Sequence, residues 1–177
     1  MGKNLIPDKI NQFNVYRKTA EAGSKLMGIT DEVQLPTFSN MSESLNLAGF
    51  AGQFDSPTVG QLNSAQIEIP FSNISVQALD LVANDGDAII MRAAQEFIDP
   101  ETSAKIYKNR TITVKGMTKE VAYGSLKKGG YGNPKVTKEV TYYKDEVDGT
   151  VITEIDKFNY KYVVNGVDML EGISDMI

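Results

Sequence analysis

The chain has 177 residues, 41 % hydrophobic and 23 % charged, with 18 basic side chains against 23 acidic ones for a formal charge of −5. It contains no cysteine and no histidine, which excludes disulfides and thiolate metal sites and removes the commonest general base and transition-metal ligand. The length suits one domain with a real core, the acidic balance argues against affinity for nucleic-acid phosphate, and no apolar run approaches the roughly 20 residues of a membrane span.

The first residues, MGKNLIPDKINQFNVYRK, lack the apolar core of a secretory signal. Gly2 follows Met1, but no Ser or Thr stands where a myristoylation motif wants one. Cytoplasmic synthesis fits both observations. Residues 1–11 are polar, contain Pro7, and read as an N-terminal arm. Residues 12–18 alternate Phe13 and Val15 against Asn14 and Tyr16 as a short strand, and residues 19–24 turn the chain.

The stretch 25–60 reads as two long strands hinged at Leu35-Pro36, followed by a glycine-rich connection. In the first strand Met27, Ile29, Val33 and Leu35 oppose Gly28, Thr30, Glu32 and Gln34. In the second, Met41, Leu45 and Leu47 oppose Asn40, Ser42, Ser44 and Asn46. Asp31 and Glu43 interrupt the apolar sides. The small, uncharged face of the second strand suits a smooth wall that must not grip what passes along it; an ordinary solvated face is the alternative. The connection carries Gly49, Gly52 and Gly60, with Phe50 and Phe54 as apolar anchors that have no obvious local partner. Anchors in so long a loop favour docking on another copy of the chain over packing on its own domain.

Residues 64–71 form a strand in which Ala65, Ile67, Ile69 and Phe71 alternate with Ser64, Gln66 and Glu68, ending or lying at an edge at Pro70. Ser75 can cap a helix over 75–85 with Val76, Leu79, Val82 and Ala83 on one side, stopped at Asp85-Gly86. Asp80, Asp85 and Asp87 are candidates for an acidic outer patch facing a basic partner, with a solvated helix face as the alternative. Residues 87–98 are ambiguous, a strand being favoured by their setting. Residues 99–102 turn, and residues 105–119 form a strand with Ile106, Ile112 and Val114 inward.

Residues 126–134 form a second loop. Three glycines and two lysines there do not make a phosphate cradle, because no Gly-Lys-Ser/Thr follows. Val136, Val140 and Tyr142 then alternate with Thr137, Glu139 and Thr141. Asp148-Gly149 signals a hairpin returning over 150–156. Phe158, Tyr160 and Tyr162 share a face, Asn165-Gly166 turns, and residues 167–177 are expected to be part helical. The sum is a mainly β domain of seven to nine strands with one definite helix. No catalytic or metal-binding residues are singled out, and no paired carboxylates of the kind a glycoside hydrolase needs stand out among the acids.

The order of these segments resembles the major tail tube protein of contractile-tailed phages and phage-tail-like bacteriocins. The resembling residues are Asn11-Gln12-Phe13-Asn14-Val15-Tyr16, then Gly28-Ile29-Thr30-Asp31-Glu32-Val33-Gln34-Leu35-Pro36, a polar strand, and Ala48-Gly49-Phe50-Ala51-Gly52. Near the end, Thr153-Glu154-Ile155-Asp156-Lys157-Phe158-Asn159 and Val164-Asn165-Gly166-Val167-Asp168 match the family's closing strand and turn. The match covers nearly the whole chain and is weakest over 88–132.

The resemblance implies a single tail tube domain over 1–177, a β-sandwich or barrel-like tail tube fold with one short α-helix. Inner sheets of six copies would join into a continuous β-barrel, and such rings would stack into a hollow tube. The implied partners are the chain itself, a sheath protein, a baseplate or tube initiator and a tape-measure protein. DNA would pass through the lumen without specific binding in a phage, whereas a bacteriocin tube would open a pore. No cofactor and no small-molecule substrate are implied. On this reading Asn40, Ser42, Ser44, Asn46, Gln66 and Glu68 are candidate lumen-lining residues, because a lumen that passes DNA should be polar, neutral to acidic and free of stacking platforms. Residues 47–60, with Leu47, Gly49, Phe50, Gly52, Phe54 and Pro57, form the candidate inter-subunit loop, and Asp80, Asp85 and Asp87 the candidate sheath-facing patch. A type VI secretion-like tube shares the architecture. A β-sandwich hydrolase or binding domain is a more distant alternative, and the absence of Trp counts against a carbohydrate-binding module.

Overall fold

Alternating Val, Ile and Thr make β7 (Lys105–Ala122) and β8 (Lys135–Val147) the long paired strands at the centre of the main sheet. The computed structural model describes residues 4–18, 23–83, 85–174 and 176. In chain order the other elements are β1 (Ile6–Lys18), β2 (Gly23–Lys25), β3 (Asn40–Leu45), β4 (Phe54–Leu62), β5 (Gln66–Pro70), α1 (Val76–Ala83) and β6 (Ala88–Ile98). After β8 come β9 (Thr150–Asp156), β10 (Lys161–Val164), β11 (Val167–Asp168) and α2 (Glu171–Ser174). One antiparallel sheet runs β11-β10-β9-β8-β7-β6-β1-β2, with β5 attached to β8; β3 and β4 form a separate two-stranded sheet.

Along one edge of β8, residues 135–139 pair with β5 and residues 142–147 pair with β9. The other edge pairs with β7 throughout, but Lys115 faces Tyr142 while Gly116 faces Val140, so Thr141 is an extra residue. A bulge of this kind bends the strand and reverses which side chains point inward beyond it. That corrects the inward assignment of Tyr142: Tyr143 is buried instead, with Val136 and Val140. Tyr142 faces the other way, donates to Glu154 at 3.0 Å and lies under Lys115. Burial, reinforced by Glu154, pushes the Tyr142 hydroxyl up to about 12.

The core unites β5 (Ile67, Ile69), Phe71 just beyond it, β6 (Ile89, Met91), β7 (Ile112, Val114), β8 and the helix residues Ala78 and Leu81. On α1 the expected face is displaced. Ser75 does cap the helix, its hydroxyl accepting from the Ala78 amide at 3.2 Å, but Val76 and Leu79 are exposed while Ala78 and Leu81 are buried and Val82 partly so. With apolar side chains at six of eight positions, periodicity could not choose a face; the small Ala78 lets the helix approach the sheet.

Three other expectations change. The polar N-terminal arm over 1–11 is strand from Ile6 onward, paired with β6; residues 1–3 lie outside the described residues. The strand expected from Lys25 to the Leu35-Pro36 hinge does not form: β2 ends at Lys25, and residues 26–39 form a strap touching the sheet through the Ile29–Phe71 bridge. From Ile29 onward the alternation records side-chain packing without a ladder, since Ile29, Val33 and Leu35 lie against the core; Met27 does not join them, being exposed while Leu26 is buried. The loop over 47–60 shortens, because β4 already begins at Phe54. The strands number eleven among the described residues, and the C-terminal helix has four residues.

Buried charges are partnered. Asn11, unmatched in the β1–β6 ladder, donates to one oxygen of Glu96 at 2.7 Å while Lys105 donates to the other at 2.8 Å. Arg110 grips Asp145 through Nε and Nη2.

Gly116 is required at the β8 bend: a Cβ there would strike the Glu139 carbonyl, which is backbone and cannot give way. Gly116→Ala is expected to destabilise by about 2 kcal/mol. Urea unfolding should show this as a lower midpoint with an unchanged slope.

Candidate assembly surface

The candidate residues fall on three elements. The first is the β3–β4 hairpin, an arm whose strands, among the described residues, pair only with each other. Opposite pairs Ser42–Pro57 and Ser44–Asp55 define one face, Glu43–Ser56 and Leu45–Phe54 the other. Ser42 and Ser44 therefore share a face with Asp55, unnoticed in the sequence, and Ser44 donates to its carboxylate; Asn40 lies across the register shift, opposite Leu62, which packs against the core. Asp55 was missed because Pro57 and Gly60 hide the strand character of residues 54–62. Asn46 follows in the exposed turn, and Asn40 Oδ1 is buried without a hydrogen-bond partner.

At the tip, Phe50 donates its amide to the Leu47 carbonyl at 3.2 Å, and Gly49 takes a positive φ of 94°. Gly52 lies in the same exposed turn. Phe50 and Phe54 have a local partner after all, meeting edge to face with centroids 6.1 Å apart. They are nevertheless 56 % and 50 % exposed, and Leu47 and Met41 are as open. A two-stranded hairpin is marginal in water by itself, and this one shows water a cluster of large apolar side chains.

The second element is β5. Gln66 and Glu68 occupy its exposed side, and Glu68 pairs with Lys135 at 2.9 Å. Asn63, Ser64 and Ala65 connect β4 to β5, but no ladder joins the polar face of the arm to that of β5.

The third is α1 and its exit. Each of the three acids has a basic partner within the chain. Arg17 reaches Asp80 at 3.9 Å and Asp87 at 3.5 Å. Asp85 receives the Lys138 ammonium at 2.7 Å, together with the hydroxyl and amide of Thr118. Lys138 is almost completely buried, so this bond satisfies a charge that cannot reach water. Arg17 is thus shared by two of the three carboxylates while Lys138 answers the third, and Val76 and Leu79 are exposed apolar side chains on the same helix. In the loop between β7 and β8, expected over 126–134, the sequence did not single out Tyr123, Leu126 and Tyr131, which are exposed next to Lys127 and Lys128.

Hydrogen bonds from Lys138 and then Thr118 hold the Asp85 carboxyl below its ordinary value of 3.8. A depressed folded-state pKa contributes stability above the ordinary aspartate range, lost as pH falls through the lowered value. Asp85→Asn should be less stable than the parent at neutral pH, and the gap should close below about pH 4. Thermal melts of both proteins across pH 2–7 would check this.

A protein-family model described as phage tail tube protein FII matches residues 7–177. The tail tube protein of Escherichia phage P2 is 26 % identical over 168 residues, which cover 94 % of each protein. Among solved structures, a chain in the cryo-EM structure of the anti-feeding prophage baseplate, 6-fold symmetrised, aligns with a TM-score of 0.51. That alignment covers 80 % of this chain and 95 % of the other at 14 % identity, a likeness of fold.

Proposed function

The chain belongs to the phage tail tube protein FII family and is a structural component of a contractile-type tail tube, and we propose that it polymerises as stacked hexameric rings into the rigid inner tube. The observation that carries this reading is the β3–β4 arm, a lone two-stranded sheet exposing Met41, Leu47, Phe50 and Phe54. Exposed strand edges and apolar side chains gathered on one projection are what a self-assembling β protein buries against its copies. Rings joined through such strands form a closed barrel, which abolishes the edges.

In the tube, the arm with Leu47, Gly49, Phe50, Gly52, Phe54 and Pro57 bridges to an adjoining copy. Asn40, Ser42, Ser44 and Asn46, with Gln66 and Glu68, line the lumen, and Asp55 extends that face. The pairing of Asp80, Asp85 and Asp87 with internal bases means that contact of α1 with a sheath protein rests on shape and on Val76 and Leu79 as much as on charge. A baseplate or initiator protein starts the tube, and a tape-measure protein occupies it during growth. Sheath contraction drives the tube through a target envelope. DNA then passes along a polar wall on which Glu68 answers the Lys135 ammonium beside it, or, in a bacteriocin, the tube opens a pore. The role is structural rather than enzymatic; the protein is made in the cytoplasm of a bacterial host and ends in a virion tail or a released particle.

Purified protein at rising concentration, with and without baseplate components, should give hollow filaments or stacked rings by negative-stain electron microscopy. A strict monomer under every condition would contradict the proposal. Replacing Phe50 and Phe54 together with Ser should leave a folded monomer and reduce polymer yield at least tenfold, read by sedimentation. Because the chain has no cysteine, Ser42→Cys gives a single thiol. In capped tubes it should react with a small maleimide and resist one carried on a large dextran; equal labelling by both would remove Ser42 from the lumen.

A further inference from the structure

The arm meets the body of the protein at its root, and the root is built on the C-terminal segment. Between the pairs Ser42–Pro57 and Asn40–Leu62, the single residue Met41 of β3 faces residues 58–61 of β4. This irregular stretch contains Gly60, at φ +81°. A Cβ on Gly60 would overlap Cδ2 of Leu170, so the glycine is the surface against which that leucine closes. Leu170 is only 2 % exposed, yet it stands outside the main core cluster.

Leu170 is itself held in place. Its amide donates to Asp168 Oδ1 at 2.9 Å, its carbonyl accepts from Ile173 at 2.8 Å, and the Met169 amide donates to the Tyr162 carbonyl at 2.8 Å. On the other flank Asn63 is bonded to Ser39 through its backbone at 2.9 Å and its side chain at 3.1 Å, while Lys157 reaches the Asn63 carbonyl at 3.2 Å. A cleft of about 170 Å³ between these groups, lined by Gly60, Ile155, Tyr162 and Leu170 among others, leaves room for the root to tilt if the leucine is shortened.

We propose that Leu170 is a positioning residue for assembly: the C-terminal turn sets the direction in which the β3–β4 arm leaves the body, and so presents Phe50 and Phe54 to the next copy in a docking-ready orientation. The proposal rests on the reading of the arm as the contact between copies. An arm held in its bound direction loses less freedom on docking than one that must be ordered then.

The test compares Leu170→Ala, Leu170→Met and Gly60→Ala in the full chain, together with the Phe50/Phe54 double Ser variant. Folding is read by circular dichroism melts, arm ordering by hydrogen exchange of amides in residues 40–45 and 54–62, and assembly by the critical concentration for tubes. Leu170→Ala should retain its fold, exchange faster in the arm, and raise the critical concentration about tenfold, corresponding to about 1.4 kcal/mol; Leu170→Met should restore both readouts. Tubes of Leu170→Ala at an unchanged critical concentration, while the double Ser variant fails to assemble, would overturn this proposal alone. Normal tubes from the double Ser variant would instead overturn the role of the arm. Should Leu170→Ala not fold, Gly60→Ala decides by the same readouts: a tenfold rise supports the positioning role and an unchanged value overturns it.

Discussion

A β-strand offers two hydrogen-bonding edges, and every backbone group on them must find a partner or water. In this protein β8 meets that demand by dividing one edge between β5 and β9 while keeping β7 along the other. The division requires a bend, which Thr141 supplies as an unpaired residue and Gly116 permits by allowing the neighbouring backbone to approach. Because of the bend, strands attached at opposite ends of β8 contribute side chains to one core, and α1 can lie against it. The placement of β5, and through a three-residue link that of the arm, follows from this shared edge.

Alternation of apolar side chains was sufficient to find β5 and the inward residues of β1 over 12–18 and of β7 over 105–115, because those stretches pair without a register shift. Residues 150–156 were legible to the residue, since Asp148-Gly149 announces a tight turn and both its residues take positive φ. Alternation failed where hydrogen bonding and packing part company. In the strap over 26–39 the chain is extended with one side against the core, so it carries the sequence signature of a strand without a ladder. At Tyr142 and Tyr143 a single extra residue inverted the pattern, and nothing in the local sequence marks Thr141 as the position of a bulge. Over 54–62, Pro57 and Gly60 read as loop chemistry although the segment is paired.

The candidate surface divides in the same way. Ser42 and Ser44 were recognisable as one face because their spacing within a regular ladder determines it, whereas Asn40 lies across a register shift that the sequence does not mark. The state of Asp80, Asp85 and Asp87 was not, since their partners Arg17 and Lys138 are far away in sequence and an acidic run looks alike whether or not its charges are answered. The role of Leu170 at Gly60 was equally invisible, being a contact between segments more than a hundred residues apart.

The solitary state of the arm has a consequence for how growth begins. Leu170 directs the root of the arm, but the two-stranded tip beyond it has little stability of its own, so on the proposed docking through Phe50 and Phe54 the first encounter between two free subunits must supply order to both tips. A subunit arriving at an existing end meets one surface already fixed. The initial step is therefore disfavoured relative to each later one, which produces a lag that a preformed seed abolishes. On the proposed mode of assembly, free subunits persist until a seed is present, and the number of filaments is governed by the number of seeds rather than by the amount of protein.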